Sequence, residues 1–264
     1  MLRERIITGI IAIPIITAII FYSPILLSVF TLLVVIFAIR EYYAMEKLPK
    51  KIDFIVITGF SFLLCFLALK DYLLSFNIFF LLLLAVLRAT WIVYYNKINN
   101  KEFLLTCLGN IYITYFFLHL IFIRNIPELG AKYVFFIFLL VWATDTSAYF
   151  IGKKFGKNKL APSISPKKTR EGAIAGMAGA VLMTLLARLI FIPTFTLPQC
   201  FIIGIIFSTI AQAGDLFEST LKRKAGIKDS GNLIPGHGGV LDRFDSLFFT
   251  IPVFYYYIKL VIEK

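Results

Sequence analysis

The class of fold is decided by stretches such as Tyr133-Val-Phe-Phe-Ile-Phe-Leu-Leu-Val-Trp-Ala-Thr-Asp-Thr-Ser-Ala-Tyr-Phe-Ile151. A helix that crosses a bilayer needs about 20 mostly apolar residues, and this stretch meets that length. Near its end it carries Asp145, and an acid inside a membrane span marks a functional site by default. The neighbouring hydroxyl side chains could add a polar lining to such a site. The alternative is a hydrogen-bonded contact between two helices.

The whole chain is also strongly apolar. Of its 264 residues 59% are hydrophobic and 16% are charged, whereas soluble proteins have about 45–50% apolar and 25% charged residues. We therefore predict an all-α, polytopic membrane helical bundle. The first apolar run is read as a retained span, since no small-residue cleavage site follows it. Nine spans are expected, at about 6–22, 25–45, 54–70, 72–95, 103–124, 133–151, 172–192, 196–214 and 247–262.

The basic residues predict how the spans are oriented. With the N-terminus in the cytoplasm, 20 of the 27 lysine and arginine residues fall in cytoplasmic segments and five fall outside. This bias follows the positive-inside rule, and it places the C-terminus outside. Topology thus accounts for much of the net charge of +12, so nucleic acid is not expected as a partner. Membrane lipids with anionic headgroups are nearer partners.

The predicted organisation is one integral membrane unit with two regions. Residues 1–132 form N-terminal spans, and residues 133–264 form a transmembrane catalytic region with cytoplasmic loops at 152–171 and 215–246. We expect it in a bacterial inner (plasma) membrane. The sequence leaves a homodimer open. The three cysteines are scattered within apolar runs and are interpreted as buried apolar residues, and the lone His119 as a packing residue.

Charged residues cluster where the eighth predicted span ends. If the helix continues there, Asp215, Glu218, Ser219 and Lys222 share one face, because they are spaced three, four and seven residues apart. Acids at a bilayer boundary must be paired, hydrated or bound to a metal. The pattern indicates either a functional cluster or a salt-bridged helix end.

A second cluster is Pro235-Gly-His-Gly-Gly-Val-Leu-Asp-Arg-Phe-Asp245. The glycines predict a turn that exposes backbone N–H groups. Asp242 and Asp245 can share a helix face that holds a cation, while Arg243 could bind a phosphate. The alternative is a solvated face with a turn histidine. His237 has no cysteine or second histidine nearby, which argues against zinc.

A third cluster, Ser163-Ile-Ser-Pro-Lys-Lys-Thr-Arg-Glu-Gly172, comes directly before the seventh predicted span. Its cationic side chains and the free N–H groups of a helix N-terminus favour an anion. The alternative is an ordinary positive-inside anchor. An anchor does not require the Ser-Pro or Thr residues, so a functional role is favoured.

Together these segments closely resemble the phosphatidate cytidylyltransferase family, also called CDP-diacylglycerol synthases. The resemblance rests on Ser219-Thr-Leu-Lys-Arg223, Lys228-Asp-Ser-Gly231 and His237-Gly-Gly-Val-Leu-Asp-Arg-Phe-Asp245. Ser165–Gly172 and Gly214–Ser219 are also similar to the family. Many members have an aromatic residue where this chain has Arg170. The motifs cover about residues 142–250, whereas the N-terminal spans match in hydropathy only.

The resemblance implies that CTP and phosphatidate react to give CDP-diacylglycerol and pyrophosphate in phospholipid biosynthesis, with Mg²⁺ as cofactor. Other readings stay open, namely a dolichol-kinase-like enzyme, a CDP-archaeol synthase, or a transporter that uses Asp145 and Arg88. The implied metal ligands are Asp215 and Asp242, supported by Glu218 and Asp245. Lys222, Arg243 and His237 join the two aspartates as implied catalytic residues. The implied substrate-binding residues are Lys167, Lys168, Thr169, Ser219, Arg223, Lys228, Gly238 and Gly239.

Overall fold

The computed structural model describes residues 2–48, 100–233 and 238–262. The spans predicted at 54–70 and 72–95 lie outside these residues. The helices are α1 (Leu2–Tyr22), α2 (Pro24–Met45), α3 (Asn100–Gly109), α4 (Phe116–Arg124), α5 (Gly130–Phe155), α6 (Arg170–Ile190), α7 (Leu197–Lys224) and α8 (Leu241–Tyr257). Two π-helical segments complete them: Asn110–Tyr115 joins α3 to α4, and Ile258–Ile262 extends α8.

The described part of the chain is a bundle of apolar helices, as predicted. Six helices in it are long and apolar enough to cross a membrane, and a shorter apolar helix covers Gly9–Tyr22. The all-helical membrane class is thereby confirmed, apart from one small sheet described below. The total of nine spans stays a prediction.

Local sequence signals explain where several helices begin. At α2 the Ser23 hydroxyl accepts a hydrogen bond from the Ile25 N–H at 3.2 Å, and Pro24 occupies the first helical position. At α7 a reciprocal capping box forms between Thr196 and Gln199. These caps satisfy backbone N–H groups that have no partner within the helix.

The helix α7 is longer than the hydropathy pattern predicts. It ends at Lys224 rather than near residue 214, and α8 begins at Leu241 rather than near residue 247. The predicted loop 215–246 is therefore helical at both ends. Hydropathy detects where apolar residues stop, whereas a helix continues while its residues favour it, and Lys and Arg are good helix formers. Basic side chains in the last turn of α7 also suit a helix C-terminus.

The predicted loop 152–171 contains a small antiparallel sheet, which an all-α reading did not anticipate. Strands β1 (Lys159–Ala161) and β2 (Ser165–Thr169) pair with Lys159 opposite Thr169 and Ala161 opposite Ser165. The strands are too short for a period-two pattern, and a proline lies within β2. The hairpin is fixed to α6 because Asn158 Nδ2 donates to the Glu171 carboxylate at 2.7 Å.

The helix α8 lies at the centre of the described bundle and packs against α2, α4, α5 and α7. Aromatic side chains fill these contacts, with ring centroids of Phe117 and Phe248 5.1 Å apart and of Phe207 and Phe254 5.2 Å apart. Such aromatic pairs stabilise the packing of the helices. Their contribution matters in a bilayer, because the hydrophobic effect does not drive apolar helices together in lipid. The N-terminal end of α8 thus meets the C-terminal ends of α2 and α7 at one end of the bundle, which is where the polar segments lie.

Candidate active site

A buried cation lies between two carboxylates where α7 meets α8. Lys222 Nζ is 2.6 Å from Glu218 Oε2 and 2.6 Å from Asp242 Oδ1. The side chains are 11%, 0% and 4% exposed, respectively. Glu218 and Lys222 are four residues apart on α7, so the helix itself aligns them. A single charge that is buried without a partner costs several kcal/mol, and here each charge has one.

Asp242 also orders the segment that leads into α8. Its Oδ2 accepts hydrogen bonds from the backbone N–H groups of Ser230 and Gly239, both at 2.9 Å. Its Oδ1 faces Lys222. Both oxygens of this carboxylate are therefore engaged within the protein. Gly238, whose φ of +84° favours glycine, forms the bend that directs the Gly239 N–H toward Asp242.

The β-hairpin contacts α7 through a second ion pair. Lys168 on β2 pairs with Asp215 on α7, and the side chains are each 28% exposed. The Ser219 hydroxyl donates to Asp215 Oδ1 at 3.3 Å. Arg223 adds another link, because its Nε donates to the Ile164 carbonyl at 3.2 Å. The two polar segments, far apart in sequence, thus lie against each other.

Four carboxylates gather where α5, α7 and α8 meet. Asp245 lies within electrostatic range of Asp215, Glu218 and Asp145. Two cations, Lys168 and Arg243, lie within electrostatic range of Asp145. The structure therefore brings Asp145 into the same cluster as the acids of the other two segments.

The remaining predicted site residues lie outside the ion pairs described above. Thr169 is buried and caps α6, with its hydroxyl accepting the Gly172 N–H at 3.1 Å. Arg223 also donates from Nη1 to the Ile227 carbonyl at 2.8 Å. His237 lies outside the described residues. The side chains of Lys167, Lys228 and Arg243 are exposed.

The chemistry of this donor set fits a hard divalent cation. Carboxylate oxygens are the ligands that Mg²⁺ prefers, and Asp245 lies within electrostatic range of three other carboxylates here. Oε1 of the buried Glu218 has no hydrogen-bond partner within the described part of the chain, whereas Oε2 faces Lys222. In that part, no three acidic, histidine or cysteine side chains converge on one point at ligand distance. Asp245 and Glu218 Oε1 fit best, whereas Asp215 would first have to release Lys168 and Asp242 would first have to release Lys222.

Sequence reasoning missed two residues that the structure brings to the site. Glu41, near the end of α2, accepts hydrogen bonds from the segment that leads into α8. Its signal in the sequence is an acid near the end of the predicted span 25–45. Tyr112 lies in the π-helical segment within electrostatic range of Asp245, and its buried hydroxyl has no hydrogen-bond partner among residues 2–48, 100–233 and 238–262. Nothing in its apolar surroundings marked it.

Comparisons with known proteins show the family of the chain. A family profile described as "Cytidylyltransferase family" matches residues 3–261. The phosphatidate cytidylyltransferase of Bacillus subtilis is 34% identical over 270 residues, which covers 98% of each chain. A protein of the same name from Staphylococcus saprophyticus is 48% identical over 124 residues, 47% of this chain and 48% of its own. The chain therefore belongs to the cytidylyltransferase family.

Proposed function

We propose that this protein transfers the cytidylyl group of CTP to phosphatidate, which gives CDP-diacylglycerol and pyrophosphate. The observation that carries the proposal is the full-length match to a cytidylyltransferase, combined with a cluster of carboxylates and lysines at one end of a membrane bundle. A lipid substrate with a charged headgroup would reach its site where such a bundle meets water.

The reaction needs little proton chemistry. A phosphatidate oxygen forms a bond to the α-phosphorus of CTP, and the bond from that phosphorus to the bridging oxygen of the β-phosphate breaks. The attacking oxygen is already an anion, and pyrophosphate leaves with the bonding electrons. The difficulty lies in bringing two polyanions together, so charge neutralisation and orientation supply most of the catalysis.

The basic residues are proposed to bind the phosphates. Lys167 and Lys228 are exposed donors without acceptor capacity, which suits phosphate oxygens. Lys168 would exchange its carboxylate partner for a substrate phosphate, because both side chains of that pair are partly exposed even though the Lys168 nitrogen is covered by Asp215. Lys222 is enclosed, so we propose that it mainly fixes the carboxylates on either side of it.

A divalent cation, Mg²⁺, is the proposed cofactor. When bound, it would neutralise phosphate charge and stabilise the leaving pyrophosphate. Asp215, Glu218 and Asp245 are the side chains proposed to hold it, with Asp215 released when Lys168 turns to a substrate phosphate. Asp242 would join them if Lys222 moved. Until then Asp242 positions the backbone around the site.

We further propose that the protein lies in the bacterial inner membrane with this site facing the cytoplasm. The bias of basic residues toward the predicted cytoplasmic segments supports it. With nine spans the C-terminus lies outside, so a reporter fused after Lys264 should be active on the periplasmic side. Activity of that reporter in the cytoplasm would contradict the odd number of spans.

The activity is tested with purified protein, CTP, phosphatidate and Mg²⁺. We expect pyrophosphate release that requires both substrates, and CDP-diacylglycerol as the product identified by mass spectrometry. Dolichol and an archaeal ether-linked phosphatidate analogue serve as competing acceptors. Product formed only with one of these acceptors would contradict the proposed substrate.

A further inference from the structure

We propose that Glu41, in the N-terminal region of the chain, is a positioning residue for the active site. The inference rests on the proposed function, because it concerns the same site. Glu41 lies near the end of α2, about 190 to 200 residues before the groups that it binds. It holds the segment that leads into α8, and through that segment it fixes Asp242 and Lys222.

The Glu41 carboxylate makes three hydrogen bonds to this segment. Oε1 accepts from the Val240 N–H at 2.9 Å, and Oε2 accepts from the Leu241 N–H at 2.8 Å. Oε2 also accepts from the Ser230 hydroxyl at 3.0 Å. Hydrogen bonds to a charged acceptor are roughly twice as strong as neutral ones. One side chain thus holds two separate points of the connection between α7 and α8, namely Ser230 and the residues that enter α8.

The space around this carboxylate is closely defined. A Cβ atom on Gly239 would collide with Glu41 Oε2 and with the Ser230 hydroxyl oxygen. Only a residue without a side chain lets the backbone approach the carboxylate this closely. The Gly-rich sequence at this point therefore makes room for a carboxylate of the protein itself.

The same backbone groups continue the network into the site. Ser230 donates its N–H to Asp242 and its hydroxyl to Glu41. Gly239, next to Val240, donates its N–H to Asp242, and Asp242 pairs with Lys222. A change at Glu41 would therefore alter the position of Asp242 and Lys222 without touching either of them.

The contacts of Glu41 also limit which backbone N–H groups of α8 can bind a substrate. A helix N-terminus with free N–H groups attracts phosphate. The N–H groups of Val240 and Leu241 are already bound to Glu41, so they are not open to a substrate phosphate. These two N–H groups therefore fix geometry, and the exposed basic side chains are the nearer candidates for binding phosphate.

The test compares Glu41→Gln and Glu41→Ala with Glu46→Gln as a matched control. Glu46 is also a half-buried glutamate at the end of α2, and it is not part of the network. Each purified protein is assayed for kcat, for KM with CTP and phosphatidate, for melting in detergent and for amide hydrogen exchange of residues 238–242.

For Glu41→Gln we expect kcat per folded molecule to fall about 10- to 100-fold, as when an outer partner of a ligand is lost. KM and melting should change little, and exchange of the 238–242 amides should accelerate. Glu41→Ala should lose more, and Glu46→Gln should match the wild type. The exchange measurement needs no activity, so it separates this proposal from the proposed function, which fails if the wild type does not turn over.

The proposal is overturned if kcat of both folded Glu41 variants stays within about twofold of wild type. It is also overturned if the exchange of the 238–242 amides is unchanged in Glu41→Gln. A variant that melts earlier but turns over normally per folded molecule would show that Glu41 only stabilises the fold. If Glu41→Ala does not fold, Glu41→Gln decides alone.

Discussion

The two ion-paired sides of the site differ in how firmly they are held. On the hairpin side, Lys168 and Asp215 form a pair that is partly exposed, and each side chain has few other partners. On the α8 side, Lys222, Glu218 and Asp242 are enclosed, and Asp242 is also bound by two backbone N–H groups. An exposed pair contributes about 0–1 kcal/mol and breaking a buried pair costs about 3–5 kcal/mol, so the half-buried Lys168–Asp215 pair lies between these limits. This difference supports the proposal that the hairpin side exchanges partners with a substrate while the α8 side serves as a rigid frame.

The largest effect is expected for Lys222→Met. It leaves Glu218 and Asp242 buried without their cation, so the free energy of unfolding should fall by about 3–5 kcal/mol. Turnover should fall as well. Melting in detergent and the pyrophosphate assay measure both quantities. Lys224→Met, at an exposed position of the same helix, is the control and should behave like the wild type. Unchanged melting of Lys222→Met would contradict the rigid frame.

Asp215→Asn and Asp242→Asn should sharpen the comparison. Both are expected to lower turnover by about 10²-fold or more, because each removes charge that acts in the transition state. The two variants should differ in their melting and in their Mg²⁺ requirement. Asp242→Asn should also melt earlier, since an amide nitrogen cannot accept the hydrogen bonds that Asp242 receives.

Asp215→Asn should melt normally but require more Mg²⁺ for half-maximal activity. A magnesium titration of both variants measures the difference. If both turn over near normally at ordinary Mg²⁺ concentrations, neither residue belongs to the metal site.

A smaller effect is expected for Lys168→Ala. We expect kcat/KM to fall by roughly 10- to 100-fold, the size of a lost hydrogen bond to a charged group, with melting unchanged. Michaelis constants for CTP and phosphatidate show which substrate is affected. Lys159→Ala, on the neighbouring strand and exposed, is the matched control. Normal kinetics of Lys168→Ala and of the double variant with Lys167→Ala would show that the hairpin only orients the chain in the membrane and binds no substrate.

The smallest effect is expected at Thr169, whose hydroxyl caps α6. Thr169→Ala should lower the free energy of unfolding by about 1 kcal/mol, and Thr169→Ser should restore it. Thermal melting in detergent measures both. A raised KM for CTP without a change in melting would instead favour direct contact with a phosphate.

Hydropathy predicted most of the described fold, because a bilayer demands long apolar helices. It could not predict where α7 ends, since seven of the last ten residues of that helix are polar or charged, which lowers the hydropathy without ending the helix. The hairpin at Lys159–Thr169 was missed because its strands are too short to show a pattern. For the first spans the sequence offers only hydropathy, because the motifs lie further along the chain. Hydropathy assigns no role to a single acid such as Glu41.

Spacing along α7 correctly placed Glu218 and Lys222 on one face. It could not reveal that Asp242, which is 20 residues further along, would complete the same ion pair. That contact depends on how α8 packs, and the packing is set by side chains across the bundle. The Gly-rich motif likewise indicated exposed N–H groups, but not that carboxylates of the protein would bind them.

The hydrogen bonds between Glu41 and α8 have a consequence for how the protein is made. Chains are synthesised at about 5–20 residues per second, so the partners of Glu41 emerge roughly 10 to 40 seconds after it. During that time α2 can enter the bilayer while its carboxylate has none of these donors. The acid must stay hydrated at the membrane surface until α8 arrives. Docking of the last described span onto one of the first would then be a late step of biogenesis, and it would complete the site.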